Sequence, residues 1–465
     1  MLPSMKRTGQ TVLIAHVSAA LLLAAGMLSL SAAPLTNTSA AKTTIPYVPT
    51  RHDTVKDLLW LAEVGTNDIV YDLGAGDGRV VIAAVRDFGA RKAVGIELDA
   101  QLVQQSREKA AKAGVSDRVE FIHGDLFTND FSLASVVVLY LGQRANLDLR
   151  AQIVRTLKPG ARVVSHQFGM GEWTADKTLD VRTVLLGMYG ERHNEFKDNP
   201  DVPDFDSTPG RANHDMLSVW NVPAPVAGVW RGSVRTASGD RELRLTLHQR
   251  LAEVRGSFQL QGPTNVEGHV EADLWGEHLR LHCLPAGGPY GEHLIWFDGH
   301  ARGDTLNGCL WIAQRDGTQE VQWTGHRDKA DFTGTWEWPG PSNSPVQLKI
   351  ERRDGRLAAT YEDKNRTVPV WAGGNKPIPV ADFYDFGGGF YFTLLLGLQG
   401  TRLSGGSRIT GPENGWLIGE AVAQENTLRG TIAFYPYAAE SPLQPLDRKP
   451  PPQGRRDWQP RRVGP

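Results

Sequence analysis

This chain of 465 residues has little cysteine and almost no net charge. Two cysteines, Cys283 and Cys309, are too few for a disulfide scaffold or a zinc site built on thiolates. They leave open one bridge or two separate buried thiols. A formal net charge of −2 provides no overall attraction to nucleic acid. His278, His282 and Cys283 lie close together, but the run alternates like a strand and sends neighbours to opposite faces, which speaks against a metal site. The length is enough for two or three domains with sizeable cores.

The N-terminus reads as a targeting segment or an anchor. Lys6 and Arg7 precede Thr11–Leu30, twenty residues without an acidic or basic charge, and Ser31-Ala-Ala33 offers small residues for signal cleavage. Twenty apolar residues would also just span a bilayer as a helix. Residues 1–42 are therefore expected to export the chain or attach it to a membrane, with Thr36–Thr44 as a polar tether.

The densest chemical signal follows. Tyr71-Asp-Leu-Gly-Ala-Gly-Asp-Gly-Arg79 reads as a strand, a glycine-rich turn and the start of a helix. Glycines between strand and helix let a nucleotide-like ligand approach the backbone. Dinucleotide sites space them as G-x-G-x-x-G for a pyrophosphate. Here Gly74, Gly76 and Gly78 alternate behind Asp72, and an acid in that place repels phosphate. It suits a cationic, phosphate-free ligand carrying an amino group, as S-adenosylmethionine does. Val94-Gly-Ile-Glu97 ends a second apolar strand in an acid, where a doubly wound fold meets ribose hydroxyls. Val119–Asp125 ends a third, its carboxylate placed to accept from an adenine amino group. Singly, each is an ordinary surface acid; together they mark one rim of one sheet. A helix over Ala100–Ala113, an apolar strand in Ser135–Leu141, a helix over Asn146–Leu157 and a strand over Arg162–Phe168 continue the βαβ alternation. Val181–Met188 and Leu217–Val222 are expected as the sixth and seventh strands, and Gly190–Asn213 as a polar loop, either a lid over the acceptor or a disordered insertion.

From about Tyr47 to Val222 the chain resembles the class I S-adenosylmethionine-dependent methyltransferases. Within them it is most similar to the ATP synthase c-subunit lysine N-methyltransferase family and its bacterial relatives. The resemblance rests on Val48-Pro-Thr50, Asp72–Arg79, Gly95–Asp99, Gly124-Asp-Leu126, Leu139-Tyr-Leu141 with Asn146, and Ser165–Trp173. Bacterial relatives usually carry acids where this chain has Gln167 and Gly169, and a Leu-Pro pair where it has Gly142-Gln143. The resemblance implies a Rossmann-like α/β domain over 43–222 with a mostly parallel seven-stranded sheet. It implies S-adenosyl-L-methionine as cofactor, Asp72 and the glycine turn on its methionine end, Glu97 on the ribose and Asp125 on the adenine edge. Tyr140 is expected to shape the acceptor pocket and His166 to accept a proton, with a packed aromatic and a satisfied strand histidine as the plainer alternatives. The acceptor implied is a lysine of a membrane-associated protein. A lipid or other small-molecule acceptor, or a non-catalytic envelope protein, are the alternatives.

Past Pro223-Ala-Pro225, which marks the domain boundary, short alternating strands are separated by Gly, Asp and Asn turns. Gly228-Val-Trp230 is echoed at Gly334-Thr-Trp336, so two related meanders are expected over 223–330 and 331–440, as two small barrels or one large one. The Gly-x-Trp openings are reminiscent of lipocalin-like barrels, and a Trp-rich interior reads as core before ligand box. Residues 441–465, rich in Pro and Arg, are expected to be disordered, with Arg455, Arg456, Arg461 and Arg462 free to meet anionic surfaces.

Overall fold

The computed structural model describes residues 47–181 and 216–464, with short breaks in the later turns and longer ones at 371–380, 397–414 and 437–452. The N-terminal segment, the body of the expected strand Val181–Met188 and the expected loop Gly190–Asn213 lie outside these residues, except for Val181 itself.

Helix α1 (His52–Leu61) leads into β1 (Ile69–Leu73), α2 (Arg79–Arg86), β2 (Lys92–Glu97), α3 (Ala100–Lys112), β3 (Val119–His123) and β4 (Val136–Leu139). Then come α4 (Gln143–Thr156), β5 (Arg162–His166), β6 (Lys177–Asp180) and β7 (Met216–Asn221). The seven strands form one sheet in the order β3-β2-β1-β4-β5-β7-β6. The first five run parallel, and β7 is antiparallel to both β5 and β6. The expected Rossmann-like sheet is therefore present. Among the described residues its sixth strand in chain order is Lys177–Asp180, and Val181, the one described residue of the expected strand Val181–Met188, has helical backbone. Likewise β5 stops at His166, since Gln167 takes φ +70 and cannot continue a strand.

Strand alternation divides the apolar side chains between the two faces. Val70, Val136, Val138 and Val164 pack under α1, α2 and α3, whose Val80–Val85 run is wholly buried. Tyr71, Leu73, Val137 and Leu139 face α4 on the other side, where the same core takes in Leu251, Tyr384 and Phe386. Those last three belong to the β-rich half.

That half begins with β8 (Gly228–Thr236), β9 (Gly239–Arg250), β10 (Glu253–Leu260), β11 (Val266–Trp275), β12 (His278–Pro285), β13 (Ile295–Arg302), β14 (Thr305–Gln314) and β15 (Gly317–Arg327). They close into an antiparallel barrel. Eight strands leave an interior that side chains fill. Trp230, Leu245, Phe258, Leu281, Phe297 and Trp323 are among those buried there. Cys283 is buried in the same core and Cys309 accepts from Gln322 Nε2 on the other face of its strand; both thiols are free.

The echo continues the meander through β16 (Gly334–Pro339), β17 (Pro345–Arg353), β18 (Arg356–Asp363) and β19 (Arg366–Val370), then β20 (Ala381–Asp385), β21 (Gly389–Leu396), β22 (Gly415–Gln424) and β23 (Thr427–Pro436). With β24 (Gln453–Trp458) and β25 (Arg461–Gly464) from the tail, two five-stranded sheets form here, β19-β18-β17-β16-β25 and β20-β21-β22-β23-β24. The repeat is faithful at its start: Gly228 and Gly334 have φ of 130° and 126°, and Trp230 and Trp336 are both buried. Of the C-terminal tail, residues 453–464 are described, and these depart from expectation. They form β24 against β23 and β25 against β16. Arg461 pairs with Glu337 and Arg462 donates to the Thr333 carbonyl over the Trp336 ring, so strand pairing and cation–π packing order a segment whose composition reads as disordered.

The junction is also unlike a linker. Ala224, Val226 and Ala227 are buried. Gln249 accepts the Val226 amide at 2.6 Å and donates to the carbonyls of Ala224 and Leu251. Arg327 donates to the carbonyls of Pro225, Ala227 and Phe386 while lying 4.4 Å over the Trp230 ring.

Candidate active site

The glycine turn between β1 and α2 is tight because each alternate position has a left-handed backbone: φ is +88° at Gly74, +54° at Gly76 and +79° at Gly78. Space is equally short. A Cβ at Gly74 would meet Leu141 Cδ2 at 2.6 Å, and one at Gly76 would meet Tyr47 Cε2 at 2.5 Å. The turn is drawn to the neighbouring strand by Gly74 and Ala75 amides donating to the Ile96 carbonyl.

Asp72 is buried near the carboxyl end of β1, and no described residue hydrogen-bonds its carboxylate. Burial, reinforced by Glu97 and Asp77, pushes its pKa up to about 7. Such a group is poised to meet a cation, which would repay the desolvation of its charge. Glu97 at the end of β2 takes two amides, Gly76 on Oε2 at 2.8 Å and Asp99 on Oε1 at 2.9 Å. Asp125 lies two residues past β3 and caps the next turn by accepting the Phe127 amide at 3.0 Å. The three expected acids thus sit at the carboxyl ends of three adjacent strands, the place where open α/β sheets bind ligands.

Tyr140 and His166 follow β4 and close β5, and they come together. Their rings stack with centroids 4.1 Å apart, and Phe168 stacks on Tyr140 at 6.1 Å. His166 is buried with Nδ1 3.4 Å from Thr50 Oγ1. This aromatic wall adjoins the glycine turn, because Leu141, next to Tyr140, is the residue packed on Gly74.

Several contributors carry little signal in a single sequence. Asp77 is held well below the usual carboxylate range: burial would raise it, but hydrogen bonds from Arg79 at 2.8 Å and Lys109 at 2.6 Å prevail. Arg79 in turn donates to the Thr50 carbonyl, which fixes the segment that bears Tyr47 across the turn. Gln143 and Gly169, two of the departures from relatives, pair with each other: the carboxamide donates to and accepts from the Gly169 main chain at 3.2 Å. Only the alternation Gly-x-Gly-x-Gly-Arg hinted that Asp77 and Arg79 belong to the turn.

The donor set fits S-adenosylmethionine: an unpaired buried acid for a cation, an acid at the second strand end for vicinal hydroxyls, and a Cβ-free turn. Residues 72–177 match the ANTKMT methyltransferase domain. A protein-lysine N-methyltransferase of Saccharolobus islandicus (strain REY15A) is 39% identical over 153 residues, which is 32% of this chain and 95% of that protein. The ATP synthase c-subunit lysine N-methyltransferase of Mus musculus is 33% identical over 175 residues, 38% of this chain and 68% of that protein. Among solved structures, an RNA methyltransferase from Salinibacter ruber in complex with S-adenosyl-L-homocysteine is 40% identical, covering 38% of this chain and 94% of that one at a TM-score of 0.30. The chain belongs to the family of the ANTKMT methyltransferase domain and is an S-adenosylmethionine-dependent methyltransferase.

Proposed function

We propose that this enzyme methylates a lysine side chain of a protein, one that a membrane presents to it. The observation that carries the reading is the Tyr140–His166–Phe168 stack beside the cofactor turn, and the identity to protein-lysine methyltransferases supports it. When bound, the cofactor supplies a methyl group already activated on a sulfonium. Asp72 would face its cationic end and Glu97 its ribose, while Asp125 would meet the adenine edge. A lysine ammonium has no lone pair and must first lose its proton. An apolar aromatic wall favours that loss, since burial penalises the charged amine. Tyr140 and Phe168 would line the approach and exclude water, and His166 would accept a proton. Holding the amine in line behind the methyl can supply about 7–11 kcal/mol of the barrier.

The test uses labelled S-adenosylmethionine with a membrane-protein extract and with poly-L-lysine. Label recovered as methyl-lysine after hydrolysis of the protein is expected. Label confined to the organic extract would overturn the lysine reading in favour of a lipid or other small-molecule acceptor.

A further inference from the structure

Gln143, Asn146 and Arg150 stand at i, i+3 and i+7 on α4 and so share one face. Each holds the main chain of one loop. Gln143 pairs with Gly169, Asn146 Nδ2 donates to the Phe168 carbonyl at 2.9 Å, and Arg150 Nη1 donates to the Met170 carbonyl at 3.0 Å. That loop begins at His166 and Phe168, two of the three rings of the acceptor wall. By itself it would be loose: Gly169 and Gly171 give it backbone freedom, and Gly171 sits at φ +67°.

Its far end is held from outside the methyltransferase domain. The Glu172 side chain, 3% exposed, forms ion pairs with Arg150 at 3.5 Å and with Arg250 of β9. Arg150 Nε also donates to the Tyr384 hydroxyl of β20 at 2.8 Å. Buried charges of this kind are stable only when they satisfy one another, so loss of one partner disturbs the rest. An ionic triad therefore joins α4, the loop and the barrel, and the Tyr384 hydrogen bond ties in the second β-region. We propose that the Arg150–Glu172–Arg250 triad makes the β-rich half a positioning element for methyl transfer, with Glu172 and Arg250 setting the loop that carries the acceptor wall. The proposal rests on the acceptor site assigned above.

The experiment compares the full chain with Arg250→Met, Arg250→Lys and Glu172→Gln. Three readouts are S-adenosylhomocysteine affinity by calorimetry, amide exchange over residues 169–173, and methyl transfer to poly-L-lysine. Arg250→Met is expected to bind S-adenosylhomocysteine within about twofold of the parent, because the cofactor turn is untouched. Exchange in the loop should rise about tenfold or more. kcat should fall by about tenfold or more with the KM for S-adenosylmethionine unchanged, and Arg250→Lys should recover most of it. Should Arg250→Met fail to fold, Glu172→Gln combined with Arg250→Met keeps the net charge and serves the same comparison. Wild-type exchange and wild-type kcat in a folded variant would overturn the proposal. If poly-L-lysine proves a poor acceptor, exchange alone decides the coupling. Absence of S-adenosylhomocysteine binding by the parent chain would instead strike the cofactor assignment.

Discussion

Glu97 accepts the amide of Gly76 at 2.8 Å, across the two strand ends where the cofactor turn is built. The same carboxylate therefore shapes the turn, and its proposed second role is to meet the ribose. Glu97→Ala should weaken S-adenosylhomocysteine binding by about tenfold or more, near 1.4 kcal/mol. Gly76→Val should do at least as much, since its Cβ would collide with Tyr47 and φ is +54°. Calorimetry at neutral pH measures both; unchanged affinity in the pair of variants would remove this turn from the cofactor site.

Asp72 should make the enzyme pH-sensitive, with stability falling as pH rises. Its folded pKa is raised from 3.8 to about 7, so the protonated form is favoured in the folded chain. The stabilisation is fully present below about pH 4 and is lost as pH rises through about 7, a swing of about 4 kcal/mol. Without ligand, the protein should melt lower at about pH 8 than at about pH 5, and Asp72→Asn should flatten that slope. A cationic ligand draws the ionised form, so affinity for S-adenosylmethionine should climb over the same range with release of a proton. Superimposable melting profiles of Asp72→Asn and parent would refute the assignment.

Tyr140 and His166 are expected to serve the acceptor and not the cofactor. Tyr140→Ala and His166→Ala should each reduce methyl transfer by about 100-fold, the scale of a misplaced reactant. S-adenosylhomocysteine affinity should stay within about threefold of the parent. Loss of cofactor binding together with transfer would show instead that the rings merely support the fold.

At the junction, Gln249→Leu would strip partners from the Val226 amide and the carbonyls of Ala224 and Leu251. Each buried group left unpaired costs about 1–3 kcal/mol. The variant should melt several degrees lower and open to protease near Pro223–Pro225, whereas the parent chain should resist cleavage there. Ready cleavage of the parent would contradict the burial of this segment.

A reporter fused after residue 45 tests the proposed targeting by Thr11–Leu30. Export or membrane attachment is expected from basic residues ahead of an uncharged segment. A fully soluble cytosolic reporter would end that proposal. Among the described residues, no helix is long and apolar enough to cross a membrane.

What the sequence alone determined is local. Asp72, the alternating glycines, Glu97 and Asp125 are written in order because a βαβ unit places successive strand ends on one rim, so linear spacing already encodes which residues share that rim. Period-two alternation likewise announced the β-rich half. Tertiary structure decided the rest. No spacing rule connects Glu172 to Arg250 or Arg150 to Tyr384, because ion pairs between elements so distant in sequence depend on how whole layers dock. The same holds for the tail and the Pro223–Pro225 segment: proline and arginine content predicted open chain, but strands in need of partners took up residues 453–464 at the sheet edges, and carbonyls in need of donors fixed the Pro223–Pro225 segment.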